Sequence, residues 1–90
     1  MLEQFMDLDQ ALAIWKELDH PYGQAATLSN LGLWFRAMGS YQQASKNYRQ
    51  SLAFLVALGD KPHEAYIRSN LGVVLRALVE DSGTSPQFSR

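Results

Sequence analysis

The tetrapeptide Ser-Asn-Leu-Gly occurs twice in this 90-residue chain, at 29–32 and again at 69–72, an interval of 40 residues. Sliding the sequence by the same interval also aligns Leu12-Ala13 with Leu52-Ala53, Leu18 with Leu58, Ala25 with Ala65 and Arg36-Ala37 with Arg76-Ala77, without a gap. An internal period of this kind marks a repeat array, in which one supersecondary unit buries its apolar face only by stacking on its neighbours.

Within each unit the apolar residues recur at helical spacing. Phe5, Leu8, Leu12, Trp15 and Leu18 form one stripe, and Leu28, Leu31, Phe35 and Met38 the next. Tyr41, Ala44, Tyr48, Leu52 and Leu55 form a third, and Leu71, Leu75 and Leu78 a fourth. Asp19-His20-Pro21, Gly39-Ser40 and Gly59-Asp60-Lys61-Pro62 supply the breaks, and Ser40 with Gln43 reads as a capping box. The pattern predicts an all-α chain of four helices, at about 2–18, 22–38, 41–58 and 62–80, paired antiparallel as in an α-solenoid fragment. Residues 1–80 are read as the array and 81–90 as a polar C-terminal tail rich in helix breakers. A glycine inside a helix costs about 1 kcal/mol relative to alanine. Gly32 and Gly72 are therefore both expected where a paired helix comes too close for a side chain.

Composition narrows the function classes. The chain has no cysteine, which removes disulfides, thiolate metal sites and catalytic thiols. His20 and His63 do not occupy equivalent repeat positions, and no phosphate loop, nucleophile elbow or metal-ligand cluster is present, so no enzyme, cofactor or metal is expected. The longest apolar run, Leu52 to Leu58, is too short for a membrane span, and the expectation is a cytoplasmic protein. Residues 1–19 carry five acids against Lys16 alone, net −4 of the chain's −1, leaving +3 on the rest. That excess is too small for a nucleic-acid footprint.

Leu31-Gly32, Phe35, Gly39-Ser40-Tyr41, Ala44 and Tyr48 together resemble the tetratricopeptide repeat. The second unit keeps Leu71-Gly72 and Leu75 but has Val79 where Gly39 stood. A 40-residue period ending in Ala57-Leu58-Gly59-Asp60 is similar to the longer-repeat subgroup found in kinesin light chains, G-protein signalling adaptors and bacterial regulators. The resemblance implies an interaction scaffold whose first-type helices line a concave surface for a peptide or partner helix. It implies that Asn30 and Asn70 contact the ligand backbone, the alternative being a bond to a neighbouring helix or turn. Ser29, Leu33 and Arg36 repeat as Ser69, Val73 and Arg76 around those amides, with Tyr66 one turn before Asn70. Two arginines beside two amides suit an acidic or C-terminal segment, although a solvated face also accounts for the arginines. Trp15 and Trp34 are read as packing residues, with an interface anchor as the alternative for Trp34, which lies beside this surface.

By the 40-residue register the first helix is a second-type helix without its partner, and the last is a first-type helix without its own. A homodimer or filament joined through these terminal helices, a longer array from which the chain is a piece, and a sensor segment of a bacterial regulator are the readings that compete with a simple binding module.

Overall fold

Every inter-helix turn is built the same way, and the turns recur at intervals of 20 residues, half the sequence period. Asp19, Gly39 and Gly59 each take the left-handed backbone conformation, with φ of 53°, 81° and 73°. The next amide in each turn, of His20, Ser40 or Asp60, bonds back to the carbonyl of Trp15, Phe35 or Leu55, at 2.9, 2.8 and 3.1 Å. The carbonyl of that same residue accepts the first bond of the following helix, from Gln24, Ala44 or Glu64. This arrangement satisfies the last carbonyls of one helix while it opens the next.

The turns separate α1 (Glu3–Glu17), α2 (Pro21–Ala37), α3 (Tyr41–Leu58) and α4 (Lys61–Ser82). The computed structural model describes residues 3–82, with side chains from 8 to 80, and contains no strand among them. The chain is thus the all-α set of helix pairs read from the period. Helix α4 runs two residues past its expected end, and the rest of the tail, 83–90, lies outside the described residues, as does the Phe5 side chain.

Two of the three helix starts that follow a turn are capped by side chains. His20 Nδ1 accepts from the Gly23 amide at 2.9 Å, with Pro21 preset for the first helical position, and Asp60 Oδ1 accepts from the His63 amide at 3.1 Å. The capping box expected of Ser40 and Gln43 does not form. Ser40, at φ −88° and ψ 71°, lies outside the extended region from which a cap reaches back, and the Gln43 amide bonds Asn47 Oδ1 instead.

Helix α1 packs on α2, α2 on α3 and α3 on α4. The centre is made of Ala25, Ala44, Tyr48, Leu55, Ile67 and Val74, with Phe35, Tyr41, Leu52 and Leu71 packed around them. Gly32 shows why the helices can meet: a Cβ there would stand 2.6 Å from Cε1 of the Tyr48 ring. Gly72 corrects the expectation of equivalence, since a Cβ at that position meets nothing within 4 Å. No described helix covers the face of α4 that matches the α3-covered face of α2. Gly23, which the repeat did not single out, is the second close approach, lying against the Trp15 indole.

The apolar stripes are not buried along their whole expected length. Leu18 and Met38 are 63% and 56% exposed, because each follows the last residue of its helix and leaves the stripe's geometry. In α4 the fully buried residues are Ile67 and Val74, while Leu71, Leu75 and Leu78 are only half-buried.

Candidate functional site

Helices α2 and α4 lie side by side with α3 beneath both, and the line between them forms a groove with two depressions. Along α2 the residues facing it recur at helical spacing, from Tyr22 through Ala26, Ser29 and Leu33 to Arg36. Along α4 they are His63, Tyr66, Val73 and Ala77, the same rule on the opposite wall.

The first depression, of about 230 Å³, has walls of Ala26, Ser29 and Asn30 facing Tyr66 and Ile67, and a floor of Leu55 and Ser51. Ser51 is not free to serve a ligand: its hydroxyl donates to the Ala25 carbonyl at 2.8 Å. The outer end is closed by a polar cluster. The Tyr22 hydroxyl donates to Asp60 Oδ2, which also lies 2.6 Å from His63 Nδ1. The rings of Tyr22 and His63 meet edge to face with centroids 6.3 Å apart. The hydrogen bond from Tyr22 holds the Asp60 carboxyl below the usual aspartate range, and the same bond pushes the Tyr22 phenol up. This cluster ties the start of α2 to the start of α4.

The second depression, of about 460 Å³, is lined by Leu33, Arg36 and Ala37, by Tyr41, and by Val73 and Ala77. Arg36 is half-buried and has no carboxylate partner among the described residues. Beside it lies the Tyr48 side chain, 0% exposed, whose hydroxyl has no hydrogen-bond partner. Burial raises the Tyr48 phenol above the ordinary tyrosine value, and the nearby Arg36 guanidinium opposes this.

Of the residues singled out in the sequence, Ser29, Asn30 and Tyr66 gather in the first depression and Leu33, Arg36 and Val73 in the second. Asn70 is half-buried, and its amide nitrogen is enclosed without a partner. Ser69 and Arg76 are exposed on α4 and line neither depression. Trp34 is 53% exposed and leans edge-on against Phe35. Tyr22 and His63 were missed, yet each continues its helix's groove-facing stripe one turn toward the N-terminus. Extending the i, i+4 pattern backward from Ala26 and the i, i+3 pattern from Tyr66 finds them.

No helix among the described residues is long and apolar enough to cross a membrane. Neither a curated protein nor a solved structure matches the chain. A family model for the tetratricopeptide repeat matches it twice, over residues 5–57 and 25–82. Proteins with such repeats generally mediate protein–protein interaction, bind proteins or peptides, and typically serve as non-enzymatic scaffolds. The match spans nearly all of α1 through α4, and the helix pair closed by Tyr48 on Gly32 is the unit it describes: the chain belongs to the tetratricopeptide repeat family.

Proposed function

We propose that this chain is a protein-interaction module that takes a peptide or partner helix in the groove between α2 and α4. The observation that carries this reading is the uncovered pair of depressions, where Tyr66, Leu33 and Val73 remain exposed beside polar groups on both walls. Large apolar side chains left at the surface along one line offer burial to a ligand, and the interleaved amides and Arg36 offer it hydrogen bonds. Asn30 serves ligand backbone in this reading; Asn70 joins it only if its enclosed amide is uncovered on binding.

The test is a selection of displayed random peptides against the chain, followed by rebinding to Ala26→Arg, which fills the first depression from a solvent-facing helix position. Loss of binding with unchanged helicity supports the groove. Selected peptides that bind this variant as well as the parent chain would remove it.

A second reading rests on a separate face. Ala65, Arg68 and Gly72 are exposed on α4, whereas their repeat equivalents Ala25, Leu28 and Gly32 are buried under α3. A helix of the α3 type fits there, supplied by a further repeat or by α1 of another copy. Light scattering across a wide concentration range discriminates: self-association that Gly72→Arg abolishes favours contact between copies, and a monomer at every concentration rules it out for the 90-residue chain.

A further inference from the structure

The polar side chains that close the outer end of the first depression have already spent their protons on Asp60. The bond from Tyr22, with those from His63, holds the Asp60 carboxyl below the usual aspartate range, so it is ionised and can only accept. The Tyr22 hydroxyl gives its one proton to Asp60 Oδ2, and His63 Nδ1, 2.6 Å from the same oxygen, must carry a hydrogen. In the neutral ring this fixes the tautomer and leaves Nε2 as an acceptor. What Tyr22 and His63 still offer a ligand is therefore lone pairs: those of Oη from α2 and of Nε2 from α4. Both residues line the depression, and neither a lysine nor an arginine does. The same end is aromatic, with the Tyr66 ring, 52% exposed, on the α4 wall beside His63 and the Tyr22 ring, 44% exposed, opposite. The positive end of the α4 helix, which would repel a cation here, is capped by the Asp60 carboxylate itself.

We infer that the first depression is a lysine subsite, in which the ligand's methylene stem lies against Ala26, Leu55 and Ile67 and its ammonium is held at the outer end by Tyr22 Oη, His63 Nε2 and the faces of the surrounding rings. This rests on the groove reading above and names the chemistry of one ligand residue. An ammonium has three donors and no acceptor, which matches a rim that offers acceptors only, and a cation is attracted to tyrosine ring faces. The acceptors are single atoms on opposite walls, and the one carboxylate is occupied by Tyr22 and His63. A guanidinium, whose planar fork is suited to a free carboxylate, therefore fits less well than an ammonium with separately directed donors. Asp60 is a positioning residue: it orients the Tyr22 hydroxyl, fixes the His63 tautomer and adds the negative charge behind them.

The probes are synthetic peptide pools, acetylated at the N-terminus and amidated at the C-terminus, with one central lysine and the other positions randomised among neutral residues. Twin pools carry norleucine, which keeps the stem without the ammonium, or arginine at the central position. The expected result is about tenfold tighter binding of the lysine pool than of the norleucine pool, as for a charge-assisted contact, with arginine between them. Asp60→Asn keeps a good helix cap but removes the charge and the obligatory acceptor. In that variant the lysine preference is lost while the norleucine pool binds as before, a pattern that mere loosening of the fold would not give. His63→Phe, which keeps a ring and removes Nε2, weakens the lysine pool alone. Equal binding of the lysine and norleucine pools, abolished by Ala26→Arg, overturns this inference and leaves the groove reading standing. A lysine preference that survives Asp60→Asn also overturns it, as does an arginine pool that binds more tightly than the lysine pool. A preference unchanged in His63→Phe removes the part assigned to Nε2. Failure of every pool to bind, while displayed random peptides do, overturns the subsite; failure of both overturns the groove reading with it.

Discussion

Gly32 and Gly72 stand in identical tetrapeptides at equivalent repeat positions, yet replacing each with alanine should move stability in opposite directions. Both substitutions remove the backbone freedom of an interior helical glycine, a gain of about 1 kcal/mol. At Gly72 nothing lies within 4 Å of the new methyl group, so the gain is expressed in full. At Gly32 the methyl would stand 2.6, 2.8 and 2.9 Å from three atoms of the Tyr48 ring. That ring is 0% exposed and packed in the core, so it cannot swing aside. Overpacking of this kind costs about 1–3 kcal/mol, and three simultaneous overlaps with a rigid ring put it at the upper end. The net loss is about 1–2 kcal/mol. One kcal/mol shifts the midpoint of a domain this size by about 4–8 °C. Thermal and urea unfolding followed by circular dichroism should show Gly72→Ala raised by about 5 °C and Gly32→Ala lowered by about 5–15 °C. Shifts of the same sign in both variants would refute the claim that the interior face of α2 and the open face of α4 differ.

Tyr48→Phe removes an enclosed, unpartnered hydroxyl and should stabilise the fold by about 1 kcal/mol, read as a higher urea midpoint at constant slope; a loss of similar size would mean that the hydroxyl has a partner. Asp19 is the one non-glycine among the three left-handed turn residues, so Asp19→Gly should raise the thermal midpoint through about 0.5–1 kcal/mol, and no change would indicate that Asp19 is compensated locally. The Tyr22–Asp60 bond gives a pH signature. Because the folded Asp60 pKa is depressed, its contribution is complete above about pH 4, where an unperturbed aspartate titrates, and is lost as pH falls through the lower folded value. The raised Tyr22 pKa gives the mirror case, complete below about pH 10 and lost as pH rises through the folded value. The stability difference between the parent chain and Tyr22→Phe should therefore be flat from pH 5 to 9 and shrink at both extremes; a difference that does not vary with pH contradicts the assignment.

The helices were legible because their punctuation is local. Gly39, Gly59 and Pro21 act through their own φ angles and missing groups, whatever the rest of the chain does. The different fates of Gly32 and Gly72 were not legible, because a tetrapeptide carries no record of which helix lies across it. The same holds for Tyr22 and Asp60, joined by a bond across 38 residues that arises only because α2 and α4 both pack on α3. Repeat spacing puts Ser29, Asn30, Leu33 and Arg36 on the side of α2 that lines the depressions, whereas Ser69 and Arg76 line neither, because α2 and α4 meet the groove with different sides. The Tyr48 hydroxyl was hidden for another reason: at a core position the ring explains the residue, and only its surroundings reveal that the oxygen is enclosed.

Entry of ligands between α2 and α4 is read from backbone amide chemical shifts of the isotope-labelled chain during titration with the selected peptides. The largest changes are expected at Ala26, Ser29, Asn30, Leu33, Tyr66 and Val73, with little change on the outward side of α3 at Lys46, Arg49 and Gln50. Saturable changes centred on those α3 residues, or on the open α4 face around Arg68 and Gly72, would contradict it.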